Sequence, residues 1–348
     1  MPVSVVVGGQ YGSEGKGKIA LELVRQDPTI EVVVRPGGTN SGHTGYKDGR
    51  RIIVRQLPAA AIDGKATVVL PAGSYIDVRL LQQEVAELGL SPSRLVIDPN
   101  AHIIRNEHVE WEKRAGLIQA IGSTGSGTGA ALLARLMRGS GNIPRSVLAS
   151  EVPDLAQYIS DGGSVIDDAL KRGSRVLIEG TQGFALSPIH GAAWPQCTSR
   201  DTTAAAFLSE AGVSPIHVDE VVLVLRCHPI RVAGNSGPLP RETTWSEIAN
   251  AAGAPHDLSE FTSVTHKLRR VAQFDSEVVK AAIRANQPTK VVLNHLDYVD
   301  WEARDGLTPN ALSFVRSVEA EIGRIVDWVG LGPETTTPLA PVHLARRA

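Results

Sequence analysis

Residues 3–18 place a β-branched apolar run, Val3–Val7, directly before Gly8-Gly9-Gln10-Tyr11-Gly12-Ser13-Glu14-Gly15-Lys16-Gly17-Lys18. No other stretch constrains the fold as strongly. A strand, a glycine-rich turn and then the helix-like Ala20–Val24 is the arrangement that aims backbone N–H groups at phosphates. Gly12 to Lys18 satisfies G-x-x-x-x-G-K, but Ile19 stands where a P-loop places the Ser or Thr that meets Mg²⁺. This reads as a phosphate loop with nonstandard metal chemistry. A plain strand-to-helix turn needs only one or two glycines. It does not account for five interleaved with Lys16 and Lys18.

The rest of the chain repeats the alternation. Val3–Val7, Glu31–Val34, Ala66–Leu70, Arg94–Ile97, Arg175–Ile178, Val221–Leu225 and Lys290–Leu293 read as strands, most of them continuously apolar. That pattern predicts a sheet buried on both faces. Asp77–Leu88, Ala130–Met137, Val165–Lys171, Ser276–Asn286 and Leu312–Trp328 read as helices. The expected fold class is α/β, a large, mostly parallel central sheet flanked by helices. No repeat or linker divides residues 1–348, so one domain is expected, with the Pro-rich Gly332–Pro341 as a surface-hugging extension. Two cysteines are too few for a disulfide framework and fit a reducing cytoplasm. A net charge of −2 gives no global basic field for nucleic acid. The start lacks a basic n-region and no apolar run reaches about 18 residues, so a cytoplasmic protein without membrane contact is expected.

Further glycine clusters follow strand ends. Asn40-Ser41-Gly42-His43-Thr44 puts a histidine among small residues in a flexible loop, a candidate proton donor or ligand contact. Gly122-Ser123-Thr124-Gly125-Ser126-Gly127-Thr128-Gly129 opens a helix carrying Arg135 and Arg138, a combination suited to a phosphate monoester. Glu179-Gly180-Thr181-Gln182-Gly183 ends another strand, and Asn294-His295-Leu296-Asp297 follows a late one, similar to patterns that read guanine through a carboxylate. His266-Lys267-Leu268-Arg269-Arg270 concentrates positive charge; a solvated basic turn and an anion site read equally well there.

Taken in order, these segments resemble adenylosuccinate synthetase. The family carries GQWGDEGKGK, NAGHT, TTGRGIG, EGAQG, an arginine-rich aspartate loop and TKLD. This chain has GQYGSEGKGK, NSGHT, STGSGTG, EGTQG, VTHKLRR and NHLD, from residue 3 to about 300. The resemblance implies a P-loop-NTPase-like synthetase fold and an ATP- or GTP-binding C–N ligase of purine biosynthesis. Its reaction phosphorylates a purine 6-oxygen and then displaces the phosphate with the aspartate amine.

Carried over by position, the resemblance implies that Gly12, Ser13, Glu14, Gly15, Lys16, Gly17, Gly42, His43, Thr44, Asn294 and Asp297 bind the triphosphate. Ser13, Asn40, Thr124, Gln182 and Thr198 would bind the purine monophosphate, with Arg138 reaching it from a second subunit of a homodimer. Val264, Thr265, Lys267 and Arg269 would hold aspartate, and Ser13 and the Gly42 carbonyl would meet Mg²⁺. Ser13, Lys16, His43 and Gln182 would carry the chemistry, His43 as general acid.

One departure bears on the substrate. Ser13 stands where the family has the aspartate that takes the purine N1 proton. A hydroxyl is a poor base but leaves room for a 2-amino group. The replacement is similar to the branch in DNA phages that replace adenine by 2-aminoadenine, whose members join L-aspartate to dGMP. It implies dGMP as acceptor, ATP or dATP as donor with GTP as the alternative, and a host cytoplasm as location. The alternatives are ordinary adenylosuccinate synthesis from IMP and GTP, or a nucleotide-binding pseudoenzyme. Lys267 for Arg, His266 for Gly, Ser126 for Arg and His295 for Lys are further departures.

Overall fold

The computed structural model describes residues 2–262 and 267–339. A nine-stranded sheet runs through it in the spatial order Thr336–Pro338, Trp328–Gly330, Lys290–Asn294, Val218–Arg226, Val3–Gly8, Arg175–Glu179, Ile30–Val34, Thr67–Leu70 and Leu95–Ile97. Every neighbouring pair is parallel except the two strands at the C-terminal edge. All seven sequence-predicted strands are present, with ends shifted by a few residues.

The continuous apolar runs are explained by the two cores. Val5, Val7, Val34, Ile178, Leu223 and Leu293 face one of them, whereas their alternates Val6, Val33, Leu177, Val222, Val224 and Val292 face the other. A strand buried on both faces gains nothing from alternating polarity, so every position is apolar. Helix Lys16–Gln26 covers the second core through Ile19, Ala20, Leu23 and Val24. Helix Ser276–Asn286 covers the first through Val279 and Ala282. Asp77 is the N-cap rather than the first residue of helix Val78–Leu88, its carboxylate accepting from the Leu80 N–H at 3.2 Å.

Three readings need correction. The helix expected over Leu312–Trp328 is Pro309–Ile322, started by the Thr308 cap and stopped at Gly323, whose φ of 68° is left-handed. Trp328 instead opens a strand paired with Lys290–Asn294. The tail does not merely hug the surface either. Thr336–Pro338 folds back antiparallel onto Trp328–Gly330 and finishes the sheet. Finally, His43 is not in a flexible loop: it begins hairpin strand His43–Lys47, paired with Arg50–Val54. Asp48 and Gly49, with φ of 51° and 71°, make the tight turn.

A three-stranded sheet, Ile230–Arg231, Arg270–Ala272 and Glu242–Thr243, packs Ile230 and Val271 on Trp245 and Ile248 of helix Trp245–Ala252. It carries the stem of the segment expected to hold aspartate. Val264, Thr265 and His266 themselves lie outside the described residues.

Candidate active site

Five adjacent parallel strands end at the same edge: Lys290–Asn294, Val218–Arg226, Val3–Gly8, Arg175–Glu179 and Ile30–Val34. Each hands a functional group to the loops beyond it, as open α/β sheets do at the carboxyl ends of their strands. These loops enclose a cavity of about 1020 Å³ lined by Gly12, Ser13, Gly15, Lys16, Gly17, Asn40, Gly42, His43, Thr44, Thr124, Gln182, Thr198, Lys267, Arg269 and Asp297. Segments up to 285 residues apart in sequence thus meet around one space, counting from Gly12 to Asp297.

The glycine loop is organised by its own carboxylate. Glu14, fully buried, accepts from the N–H groups of Gln10 at 3.2 Å and Gly12 at 2.8 Å with Oε1, and pairs with Lys16 Nζ at 2.7 Å through Oε2. Glu14 therefore shapes the loop and does not face the cavity. Asn294 is also structural: its amide donates to the Glu14 carbonyl at 2.8 Å from a buried position. Gly15, at φ 94°, starts helix Lys16–Gln26 in a conformation only glycine adopts freely. A Cβ on Gly17 would lie 2.7 Å from His43 Cβ and 2.9 Å from Ala59 Cβ, so the absent side chain lets His43 come up to the helix start.

His43 is held by groups the motif did not expose. Its Nδ1 lies 2.5 Å from Glu179 Oε1 and 2.6 Å from Arg35 Nη1, and Arg35 Nη1 is 3.1 Å from the same carboxylate oxygen. Glu179 also accepts from the N–H groups of Ala59 and Ala60 at 3.0 and 3.2 Å. Burial alone would raise the Glu179 carboxyl, but His43 and Arg35 hold it below the ordinary carboxylate range. An ionised carboxylate only accepts, so Nδ1 carries the ring proton and Nε2 does not. Burial, helped by Arg35, pushes the imidazole down to about 3. With its pKa that low, His43 is neutral near pH 7.

Facing this trio, Asn40 Nδ2 donates to Thr198 Oγ1 at 3.3 Å and Gln182 Nε2 to the Asn40 carbonyl at 3.3 Å. Thr124 Oγ1 donates to Ser126 Oγ at 3.3 Å on the neighbouring loop. Arg231 lies over the Tyr11 ring at 5.2 Å and donates to the Gln196 and Pro238 carbonyls. Ser13 is exposed to the cavity and accepts from Arg269 Nη1 at 2.6 Å. Below it, fully buried Arg226 donates to the Ser13 carbonyl and pairs with Glu260 at 2.6 Å. Burial alone would raise Glu260, but Arg226 holds it down at about 2. Asp297, 2% exposed, pairs with Arg304 at 2.9 Å. Arg138, unlike the buried loop residues Glu14 and Asn294, lies off the cavity on the surface. It is the C-cap of helix Thr128–Met137.

Sequence reasoning missed Arg35, Glu179, Arg226, Glu260 and Arg304 as contributors. The signal for Glu179 was present: a carboxylate closing an otherwise apolar buried strand requires partners at that strand end. Among the described residues no three acidic, His or Cys side chains cluster as a metal site. Ser13 and Gly42, which the sequence resemblance assigns to Mg²⁺, both line the cavity beside the glycine loop and carry neutral hydroxyl and carbonyl oxygens. Two neutral oxygens fit Mg²⁺, which keeps waters and takes its remaining ligands from phosphates.

The adenylosuccinate synthetase family model matches residues 5–151 and 145–304. The chain belongs to the adenylosuccinate synthetase family. The enzymes called adenylosuccinate synthetase from Pyrococcus sp. strain ST700 and Methanococcus aeolicus are 36% and 37% identical to it, each across 96% of this chain and 97–98% of their own length. Members of this family are C–N ligases that use a nucleoside triphosphate and Mg²⁺, and this chain is a ligase of the family. A solved succinoaminodeoxyadenylate synthetase of cyanophage S-2L, bound to dGMP and to dATP as energy donor, superposes with a TM-score of 0.81 at 28% identity, covering 97% of this chain and 95% of its own. The fully ligated adenylosuccinate synthetase of Plasmodium falciparum shares the synthetase fold, with a TM-score of 0.81 at 20% identity over 98% of this chain and 100% of its own. Among the described residues no helix is long and apolar enough to cross a membrane.

Proposed function

We propose that this synthetase joins L-aspartate to dGMP with hydrolysis of ATP, giving N6-succino-2-amino-2'-deoxyadenylate. The observation that carries the reading is Ser13, a cavity-facing hydroxyl where the family motif has a carboxylate. Its φ of 58° is left-handed, and aspartate adopts that conformation more readily than serine. The backbone therefore does not favour serine, and the reason for it lies in the cavity. A short hydroxyl leaves space beside purine C2 and accepts a hydrogen bond from a 2-amino group. The likeness to a phage synthetase solved with dGMP supports the same substrate.

In this reading Lys16, the amides from Gly12 to Gly17, Thr44 and the Gly42 carbonyl position the triphosphate, with Glu14 and Asn294 fixing the loop and Asp297 at the base. The Ser13 hydroxyl and the Gly42 carbonyl would hold Mg²⁺, which would supply charge neutralisation at the phosphates. His43 sits where anionic phosphoryl oxygens would raise its depressed pKa. Glu179 stabilises the imidazolium, which then donates from Nε2 to the 6-phosphoryl group. The γ-phosphoryl moves to O6 of dGMP, and Ser13 holds the water that carries off the N1 proton. The aspartate amine then attacks C6, phosphate leaves with the C6–O6 bond electrons, and the amine proton goes to solvent. Asn40, Thr124, Gln182 and Thr198 hold the nucleotide; Thr265, Lys267 and Arg269 hold the aspartate carboxylates beside Val264. Arg138, exposed and off the cavity, serves the purine phosphate of a second copy in a homodimer.

A three-component assay tests this. Phosphate release should require ATP, dGMP and aspartate together, and the product mass should equal dGMP plus aspartate minus water. Nucleotide binding without phosphate release would mark a pseudoenzyme instead. A second reading, adenylosuccinate synthesis from IMP and GTP, is favoured by the archaeal relatives' names. It predicts release with IMP in place of dGMP.

A further inference from the structure

We propose that Arg304 is a specificity-determining positioning residue: it closes one oxygen of Asp297 and thereby removes the two-oxygen reading of guanine from the triphosphate site. The inference rests on the reading of Asp297 as the contact for the triphosphate's base. Asp297 follows strand Lys290–Asn294 on the short turn Leu296–Tyr298 and lines the cavity. Its Oδ2 accepts from Arg304 Nε at 3.2 Å and from Nη2 at 2.9 Å. Its Oδ1 is buried and has no hydrogen-bond partner among the described residues. One carboxylate oxygen is spent on the protein and the other is left for a ligand.

Arg304 does not hold this position by the ion pair alone. Its guanidinium carbon stacks 3.6 Å from the centroid of the Trp301 ring, and His256 buttresses that ring edge-on at 4.9 Å. Stacking fixes the planar guanidinium in a way a mobile ammonium would not reproduce. On the same side, Lys18 Nζ donates to the carbonyls of Gly332 at 2.8 Å and Thr335 at 2.7 Å, tying the last turn across the end of the cavity that Pro333 lines.

The two purine bases place different demands on such a carboxylate. Guanine presents N1–H and its 2-amino N–H side by side, and only a carboxylate with both oxygens open accepts both. Adenine presents one amino donor at N6 beside the acceptor N1. With Oδ2 closed, Oδ1 takes the N6 amino group while a guanidinium N–H stands on the side of the acceptor N1. Guanine keeps at most one bond to the carboxylate, and its 2-amino group brings no advantage. ITP, which is GTP without that group, therefore reports how many oxygens are reading the base.

Calorimetric binding of ATP, GTP and ITP to the full chain, as wild type, Arg304→Met, Arg304→Lys and Asp297→Asn, tests this. The wild type should bind GTP and ITP within about twofold of each other. Arg304→Met keeps the stacked volume but frees Oδ2, so GTP should gain roughly tenfold over ITP, the worth of one bond to a charged group. Arg304→Lys restores a donor that the Trp301 ring does not fix, and its GTP/ITP ratio should fall between those of wild type and Arg304→Met. A wild type that prefers GTP over ITP by about tenfold overturns the proposal without any variant. So does a folded, ATP-binding Arg304→Met with an unchanged GTP/ITP ratio. If Asp297→Asn weakens no triphosphate, the underlying base reading fails; if it weakens them while the Arg304→Met ratio stays put, only the Arg304 inference fails.

Discussion

Ser13 Oγ accepts a hydrogen bond from Arg269 Nη1 at 2.6 Å across 256 residues of sequence. The same serine's carbonyl accepts from Arg226 at 3.0 Å. The tip of the glycine loop is thus held by two arginines, one of them the Arg269 proposed to hold the aspartate. A carboxylate at position 13 would turn the Arg269 contact into an ion pair and draw the guanidinium onto the loop.

Ser13→Asp should therefore change the substrate rather than the fold. Aspartate tolerates the left-handed φ at this position, so the unfolding midpoint should stay within the roughly ±0.5 kcal/mol of an ordinary surface change. Steady-state kinetics should show kcat/KM for dGMP falling about tenfold or more, from lost room at C2 and diverted Arg269. Unchanged dGMP kinetics in a stable variant would remove the steric argument.

Glu14→Gln should loosen the phosphate loop. The change leaves Lys16, only 3% exposed, without its ion-pair partner. Breaking a buried pair from one side costs about 3 kcal/mol. Urea denaturation should report a loss of that order, together with weaker ATP binding. A loss under about 0.5 kcal/mol would mean that Glu14 does not organise the loop.

Gly17→Ala sets two effects against each other. Alanine gains about 1 kcal/mol of helix propensity. Its Cβ, 2.7 Å from His43 Cβ and 2.9 Å from Ala59 Cβ, must push both aside, which costs about 1–3 kcal/mol in a packed site. The clash should win, with a small net destabilisation. A displaced His43 should lower kcat by about tenfold to a hundredfold while KM for aspartate holds. A stabilised, fully active variant would contradict the close approach.

Stability should fall in mild acid through two buried histidines, His228 and His295. Burial lowers His228 to about 4 and His295 to about 3, from an ordinary 6.5. Both bind a proton more readily unfolded than folded, so their contribution is complete above about pH 6.5 and is lost as pH falls through the folded values. His295 sits at φ 67°, which asparagine accepts. His295→Asn should flatten the dependence of Tm on pH between 6.5 and 4 and leave it unchanged above 7. An identical slope in the variant would contradict the burial argument.

How much of this was legible in the sequence follows from where each signal lives. Strands buried on both faces announce themselves as runs such as Val5-Val6-Val7 and Val32-Val33-Val34, because local composition is enough to mark them. The overrun past Ile322 ignored Gly323, a left-handed stop that was there to be read. The hairpin after His43 was equally readable from Asp48-Gly49, a turn signal followed closely by the β-branched run Ile52-Ile53-Val54. That Glu179 needs partners was readable, but that His43 and Arg35 supply them was not. Arg35 and Glu179 are 144 residues apart and meet only because their strands, Ile30–Val34 and Arg175–Glu179, are neighbours in the sheet. The same holds for Gln10 with Arg226 and for the contact between Ser13 and Arg269, since strand order is not encoded in local pattern.

The most direct test of the substrate assignment compares kcat/KM for dGMP and for IMP in one assay, with saturating ATP and aspartate and phosphate release as readout. The 2-amino group, accepted at Ser13, predicts a dGMP value at least about tenfold above that for IMP. A preference for IMP of the same size would contradict the account and return the chain to adenylosuccinate synthesis.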